Sequence, residues 1–251
     1  MIRLLAILLC LSLPAKSEEI VGSLSRDQVK ITATFDGSDI LIYGAVKRER
    51  PEPTSEPLNV VITVQGPRAP ITVRRKEKRV GIWVNTDALD IPQAPSFYAV
   101  ASSAPMSEAL RRADDLLFRV TTPLAIRLPQ VEMDPADRQN FKDALIRIQS
   151  DRNLFQMLEG QVSLIENTLF STAIELPANL VEGAYQTKIY LTRGGRIIDE
   201  HTNVIEVSKV GLERWIYNLA HEKPLIYGIL SLVIAITAGW LASSIFRYIR
   251  F

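Results

Sequence analysis

The sequence GAYQTKIYLTRGGRIIDEHTNVIEV, at residues 183–207, carries the clearest structural pattern of the chain. Apolar and polar residues alternate on both sides of Gly194-Gly195, as they do in two half-buried strands. The two glycines stand where a tight turn needs positive φ, so the stretch predicts a β-hairpin. Tyr185 begins the first strand, where a tyrosine of an immunoglobulin-like fold hydrogen-bonds back across the preceding corner.

Similar short segments recur on the N-terminal side of this hairpin. Further strands are predicted at residues 29–35, 40–46, 59–66, 71–77, 79–85, 96–102 and 168–176. The first two flank the turn Asp36-Gly37-Ser38-Asp39 and predict a second β-hairpin. The spacing of the strands, about ten residues, is typical of two packed antiparallel sheets.

Helical patterns interrupt the strands in the middle of the chain. Asp134 and Pro135 supply an acidic start and a proline at the first helical position, which predicts a helix over 135–155. A weaker helix is predicted over 106–118. We therefore expect a mainly β fold, an Ig-like antiparallel β-sandwich with a helical insertion at about 105–159. Two separate small β domains are the alternative.

The two ends of the chain carry apolar runs. Arg3, the apolar residues 4–13 and the small residues Ala15 and Ser17 predict a signal peptide at 1–17. Residues 225–246 lack charge and reach about 33 Å as a helix, enough to cross a bilayer. Arg247 and Arg250 follow directly, which predicts a cytoplasmic C-terminus under the positive-inside rule.

These patterns together predict the order of segments. A signal peptide at 1–17 precedes an ectodomain at 18–208, followed by an amphipathic juxtamembrane helix at 209–223. A single C-terminal transmembrane helix at 224–246 and a cytoplasmic tail at 247–251 complete the chain. The tail is too short to fold, so function is expected in the ectodomain or in the transmembrane helix.

Composition excludes several functional classes. The 251 residues hold 29 Lys+Arg and 28 Asp+Glu, which excludes a polycation that binds nucleic acid through bulk charge. The single cysteine, Cys10, lies in the predicted signal peptide, which excludes a disulfide framework. His201 and His221 belong to no metal or catalytic motif, and the pairs Asp87/Asp90 and Asp114/Asp115 lack a calcium-loop pattern. No catalytic residue, cofactor or metal is predicted.

Interaction candidates come from a dense basic cluster, which could bind an anion, an acidic partner or anionic lipid. Its members are Arg74, Arg75, Lys76, Lys78 and Arg79, with Lys47, Arg48 and Arg50 as a second group. The alternative interpretation is a solvated strand edge that is protected against aggregation by its charges.

A stripe of small residues in the transmembrane helix could pack against another helix, in a homodimer or with a membrane-protein partner. The stripe consists of Ser231, Ala235, Gly239 and Ser243, at every fourth position.

A solute-binding or enzymatic site is the alternative function. Its candidate residues are Trp83, Asn85, Asp87 and Tyr98, where a strand end and a loop could bring aromatic and polar groups together. Packing of Trp83 and Tyr98 in the core of the sandwich is the competing interpretation.

Three stretches together resemble the alphaproteobacterial putative transmembrane protein family. They are VRRKEKRVGIWVNTD with PSFYAVASSAP (residues 73–87 and 95–105), LPANLVEGAYQTKIYLTRGG (176–195) and KPLIYGILSLVIAITAGWLASSIFR (223–247). The resemblance implies a Gram-negative inner-membrane protein with its ectodomain in the periplasm, and it implies no catalytic residues. Family members look like neighbours of TauE/SafE-type permeases, which implies an accessory role beside an anion exporter.

Overall fold

A computed structural model of the chain describes residues 18–32, 35–48, 56–209 and 212–249, without the side chains of 212–214, 218 and 246–249. The predicted signal peptide at 1–17 and the last two residues of the predicted tail lie outside the described residues. The described chain divides into two compact units. One holds residues 18–29 and 36–207, and the other holds residues 30–35 and 208–249 where they are described.

The first unit is built mainly from β-strands. The strands are β1 (Glu18–Leu24), β2 (Gln28–Ile31), β3 (Gly37–Arg48), β4 (Leu58–Gln65), β5 (Arg68–Arg79), β6 (Ile82–Pro95), β7 (Tyr98–Ser102), β8 (Phe155–Leu158), β9 (Ser163–Ile165), β10 (Leu169–Pro177), β11 (Gly183–Arg193) and β12 (Arg196–Lys209). They form a four-stranded sheet β1-β3-β10-β9, a six-stranded sheet β2-β12-β11-β4-β7-β8 and the separate pair β5-β6.

The hairpin predicted at residues 183–207 is confirmed. β11 and β12 pair antiparallel up to Arg193 and Arg196, and Gly194 and Gly195 turn the chain with φ of 53° and 77°. Tyr185 is fully buried, and its hydroxyl donates a hydrogen bond to the carbonyl of Val181 at 2.8 Å, as predicted for the corner tyrosine. The immunoglobulin-like topology stays a prediction.

The other predicted hairpin is wrong. β2 joins the six-stranded sheet beside β12, whereas β3 lies in the four-stranded sheet between β1 and β10. Both edges of β3 are therefore occupied by other strands. Its partner β1, which the sequence analysis did not predict, pairs from Glu18 with Arg48 to Leu24 with Ile42. Alternation identifies a strand, but it does not identify the strand that pairs with it.

Four helices lie in the predicted insertion: α1 (Met106–Ala109), α2 (Arg112–Phe118), α3 (Thr122–Ala125) and α4 (Pro135–Ser150). Asp134 caps α4 by accepting a hydrogen bond from the amide of Ala136 at 2.7 Å. The weaker helix predicted at 106–118 is broken by extended backbone at Leu110 and Arg111. The helix predicted to reach residue 155 ends at Ser150 instead, and β8 then pairs parallel with β7.

The helical insertion contacts one face of the six-stranded sheet. The hydroxyl of Tyr98 on β7 donates to the carbonyl of Val120 at 2.7 Å, and Thr192 on β11 donates to the carbonyl of Ala109 at 2.7 Å. The opposite face of the six-stranded sheet packs toward the four-stranded sheet. The amide of Ile20 on β1 donates to Asp199 on β12 at 2.8 Å across this interface. Buried aliphatic residues such as Ile62 and Ile189 fill this second side.

The second unit contains two helices, α5 (Leu212–Glu222) and α6 (Pro224–Ile249). Within α6 the 22 residues Pro224–Ile245 have a mean hydropathy of 2.1, and none of them is buried. This helix is long and apolar enough to cross a membrane. The predicted fold class, mainly β with one C-terminal apolar helix, is confirmed.

Candidate functional site

The pair β5-β6 forms a long hairpin, called the arm below. The strands pair from Arg68 and Pro95 at the base to Arg79 and Ile82 at the tip. The base is packed, with Leu89 and Ile91 buried, whereas the residues from Lys76 to the turn are exposed. This exposed part is about 17 Å long at the rise of a strand. The arm is therefore a two-stranded β-ribbon on the surface of the first unit, packed at its base and exposed at its tip.

Arg75 fixes the arm to α4. Its guanidinium donates to Asp137 at 2.7 Å, lies 3.7 Å from Asp87 across the hairpin and stacks over the ring of Phe141 at 5.0 Å. The hydrogen bond from Arg75 lowers the pKa of the Asp137 carboxyl below its ordinary value. Arg75, predicted as an interaction candidate, thus has a structural contact of its own.

The opposite face of the arm is positively charged. Side chains alternate along a strand, so Arg74, Lys76 and Lys78 share the face that points away from Arg75. Trp83 pairs directly with Lys78, which places its side chain on this face as well, and it is 68% exposed. We call Arg74, Lys76, Lys78 and Trp83 the cationic face.

The two basic groups differ in their ion pairs. Among the described residues, none of its three cations forms an ion pair, while Arg79 at the tip lies 3.3 Å from Glu77. In the second basic group, Lys47 and Arg48 pair with Glu19 and Glu18, and Arg50 lies outside the described residues. The charges of the arm also protect the unpaired edges of β5 and β6 against aggregation, as the alternative interpretation holds. That interpretation does not explain the exposed Trp83, because edge protection does not require a tryptophan.

The site proposed around Trp83, Asn85, Asp87 and Tyr98 is not assembled. Tyr98 is buried beneath the helical insertion and Trp83 is exposed at the tip of the arm, so neither residue packs in the core between the two sheets. β6 extends between them, and its length from Trp83 to Pro95 is about 40 Å. Asp87 pairs with Arg75 instead. The sequence analysis placed these residues together because it did not predict how long the hairpin is.

A cleft of about 250 Å³ lies between the six-stranded sheet and the helical insertion. It is lined by Thr63, Gln65, Arg68, Tyr98, Phe118, Arg119, Ala125, Arg127, Gln186, Lys188 and Tyr190. The sheet contributes the buried residues Thr63, Tyr98 and Tyr190, whereas the three arginines are exposed. We call this site the cleft. The sequence analysis missed it because its residues come from four strands, two short helices and the loops that follow them, with no common motif.

The charged residues that line the cleft are all cationic. Its lining includes four cationic residues and no carboxylate. Partial burial, together with the like charges of Arg127 and Arg119, lowers the pKa of the Arg68 guanidinium. Burial raises the pKa of both Tyr98 and Tyr190, so their hydroxyls stay neutral. The cleft is therefore a positively charged and polar environment.

The small residues Ser231, Ala235, Gly239 and Ser243 all lie on α6. The hydroxyl of Ser231 donates to the carbonyl of Gly228 at 2.9 Å, which satisfies it within the helix. A β-carbon on Gly239 would meet no atom within 4 Å, so a larger side chain fits there. The packing role of the stripe stays a prediction.

Within the described ranges, no group of three or more His, Cys, Asp or Glu side chains is placed to hold a metal ion.

Comparison with protein families matches residues 19–248 to the family described as "Putative transmembrane protein (Alph_Pro_TM)". Curated proteins give no match. Among solved structures, the sporulation control protein Spo0M of Bacillus subtilis is 10% identical with a TM-score of 0.27, over 81% of this chain and 53% of that one. The alpha-2-macroglobulin of E. coli is 10% identical with a TM-score of 0.26, over 76% of this chain and 10% of that one. The chain thus spans about half or less of each.

Proposed function

Because this chain belongs to the alphaproteobacterial family of transmembrane proteins matched over residues 19–248, we propose that it is a non-enzymatic, membrane-anchored interaction module of the Gram-negative inner membrane. Its ectodomain lies in the periplasm and docks on an acidic surface of another inner-membrane protein, such as a transporter to which it is accessory. The contact is made by the cationic face of the arm.

The observation that carries this proposal is the exposed Trp83 among three cations without ion pairs. Tryptophan and arginine are enriched among the residues that dominate binding energy at protein interfaces, and exposed cations steer an acidic partner into position. The contacts of Arg75 with Asp137 and Phe141 hold the arm on α4. The binding face is thus presented on a fixed ribbon, which lowers the entropy cost of docking.

The test is purification of the tagged full chain from its native membrane in mild detergent, followed by mass spectrometry of the proteins that co-purify. We expect one integral membrane protein in near-stoichiometric amount with the wild type. The triple variant Arg74→Glu, Lys76→Glu, Lys78→Glu should lose it, because three attractive charges become repulsive. Arg75 is left unchanged, so the attachment of the arm to α4 is preserved.

A matched control reverses three exposed arginines elsewhere on the first unit: Arg147→Glu, Arg152→Glu and Arg196→Glu. This control changes the net charge equally and should retain the partner. Trp83→Ala, without any change of charge, should weaken recovery several-fold by removing the apolar anchor. Equal recovery of the partner with the wild type and the arm variants, or its loss with the control triple variant, would overturn the proposal.

A further inference from the structure

Three arginines of the cleft have no ion-pair partner among the described residues. Lys188 is paired with Glu200 at 2.6 Å, but Arg68, Arg119 and Arg127 form no ion pair within the described part of the chain. The nearby carboxylate of Asp115 accepts hydrogen bonds from the amide and the hydroxyl of Thr121, both at 2.8 Å. Three guanidinium groups around one concave site repel one another, and a bound anion would remove that repulsion.

One of these arginines is held in place. The guanidinium of Arg68 donates to the carbonyls of Gln93 and Ala125 at 3.1 and 3.3 Å and to the side chain of Gln65 at 3.1 Å. The first contact comes from the arm, the second from α3 and the third from β4. Fixing a side chain before binding removes the entropy cost of ordering it, so Arg68 is preorganised for binding.

The size and chemistry of the walls define the class of ligand. At about 250 Å³ the cleft is smaller than the roughly 300–1,000 Å³ of sites for larger organic ligands. The sheet adds the buried hydroxyl of Thr63 and the less buried amides of Gln65 and Gln186 to the arginines. Planar guanidinium groups match the oxygens of phosphate, sulfate and carboxylate with paired hydrogen bonds.

We propose that the cleft is a binding site for a small, doubly charged oxyanion, held by Arg68, Arg119 and Arg127. The anion is a free phosphate, sulfate or small dicarboxylate, or the phosphate of a lipid headgroup, since these share the same chemistry. The site does not involve the cationic face of the arm, so its test is independent of the proposed docking function.

The test is calorimetric titration of the full chain in a neutral detergent with phosphate, sulfate and succinate, at an ionic strength held constant with chloride. We expect saturable binding of at least one dianion. Arg127→Gln and Arg119→Gln should each raise its Kd about tenfold or more, because a charge-assisted hydrogen bond is lost. Arg147→Gln, which removes an exposed arginine on α4, should leave the Kd unchanged.

A parallel titration uses nanodiscs with and without phosphatidic acid. Arginine-dependent binding that occurs only with phosphatidic acid assigns the site to a lipid headgroup, whereas binding of soluble dianions assigns it to a free solute. No saturable binding in either format would overturn the inference. Binding that is equal in the wild type and in the Arg119→Gln, Arg127→Gln double variant would overturn it as well, because the anion would then be bound elsewhere on the chain.

Discussion

Glu18 is a buried carboxylate that pairs with two arginines in the first unit. Its side chain is 4% exposed, and its oxygens accept hydrogen bonds from Arg193 at 2.7 and 3.0 Å and from Arg48 at 2.9 Å. Burial alone would raise the pKa of this carboxyl, but the hydrogen bonds and charges of the two arginines outweigh it and lower the pKa. The contacts join the N-terminal strand β1 to β3 and β11.

We predict that Glu18→Gln lowers the free energy of unfolding by about 3 kcal/mol at pH 7, because two guanidinium groups lose their counter-charge. The folded-state pKa of Glu18 lies below its unfolded value of about 4.3, so its contribution is present above that pH and is lost as the pH falls through the folded pKa. Urea unfolding of the full chain in mild detergent, followed by circular dichroism, should therefore show the variant approaching the wild type below about pH 4.

Glu19→Gln is the matched control for this prediction. Glu19 is 60% exposed and lies 3.6 Å from Lys47, so its removal should cost less than about 0.5 kcal/mol. Equal effects of the two substitutions, or an effect of Glu18→Gln that grows on acidification, would contradict the assigned role of Glu18.

At the scale of elements, the stripe on α6 can be tested at Gly239, which has open space around it in the described chain. Gly239→Leu adds a side chain where no atom lies within 4 Å, so the helix itself should tolerate it. If the stripe packs against a second helix, we predict that this substitution reduces association of the full chain several-fold, since leucine blocks close approach of the backbones. Cross-linking in native membranes measures the effect.

Thr237→Leu supplies the control, because residues two apart lie on nearly opposite sides of a helix. Thr237 bonds only to carbonyls of its own helix in the described structure, so association should be retained. Undiminished cross-linking with Gly239→Leu would remove the stripe as a contact surface.

Elements were predictable where the relevant contacts are local. The hairpin at 183–207 and the start of α4 follow from Gly194-Gly195 and from Asp134, whose effects act within a few residues. The pairing of β3 with β1 and β10, and the parallel strand β8, depend on residues far apart in the chain. Local alternation carries no information on such partners.

The candidate sites were likewise predictable only where their residues are close together in the sequence. The basic residues of β5 were predictable as a cluster, because they are consecutive in sequence and their side chains alternate along one strand. The cleft was not, since Arg68, Arg119 and Arg127 come together only when the helical insertion folds over the six-stranded sheet. Trp83 was misplaced because hydrophobicity predicts burial on average, whereas this residue stands at the exposed tip of a hairpin.

At the scale of the whole molecule, the proposed function requires that the arm and the C-terminal end of α6 lie on opposite sides of the membrane. Arg247 and Arg250 after the apolar segment predict a cytoplasmic C-terminus and a periplasmic ectodomain. Val80 at the tip of the arm is fully exposed, so a cysteine there is accessible to reagents. We predict that Val80→Cys reacts with a membrane-impermeant maleimide in intact spheroplasts, whereas Phe251→Cys reacts only after lysis.

The wild type serves as the control, because Cys10 is its only cysteine and lies within the predicted signal peptide. If the signal peptide is removed, the mature wild type has no thiol and stays unlabelled both before and after lysis. Labelling of the wild type after lysis would show that the N-terminal segment is retained, and it would contradict that prediction. Labelling of Phe251→Cys in intact spheroplasts, with Val80→Cys protected, would reverse the orientation. The cationic face would then meet the cytoplasm, and a docking role in the periplasm would be impossible.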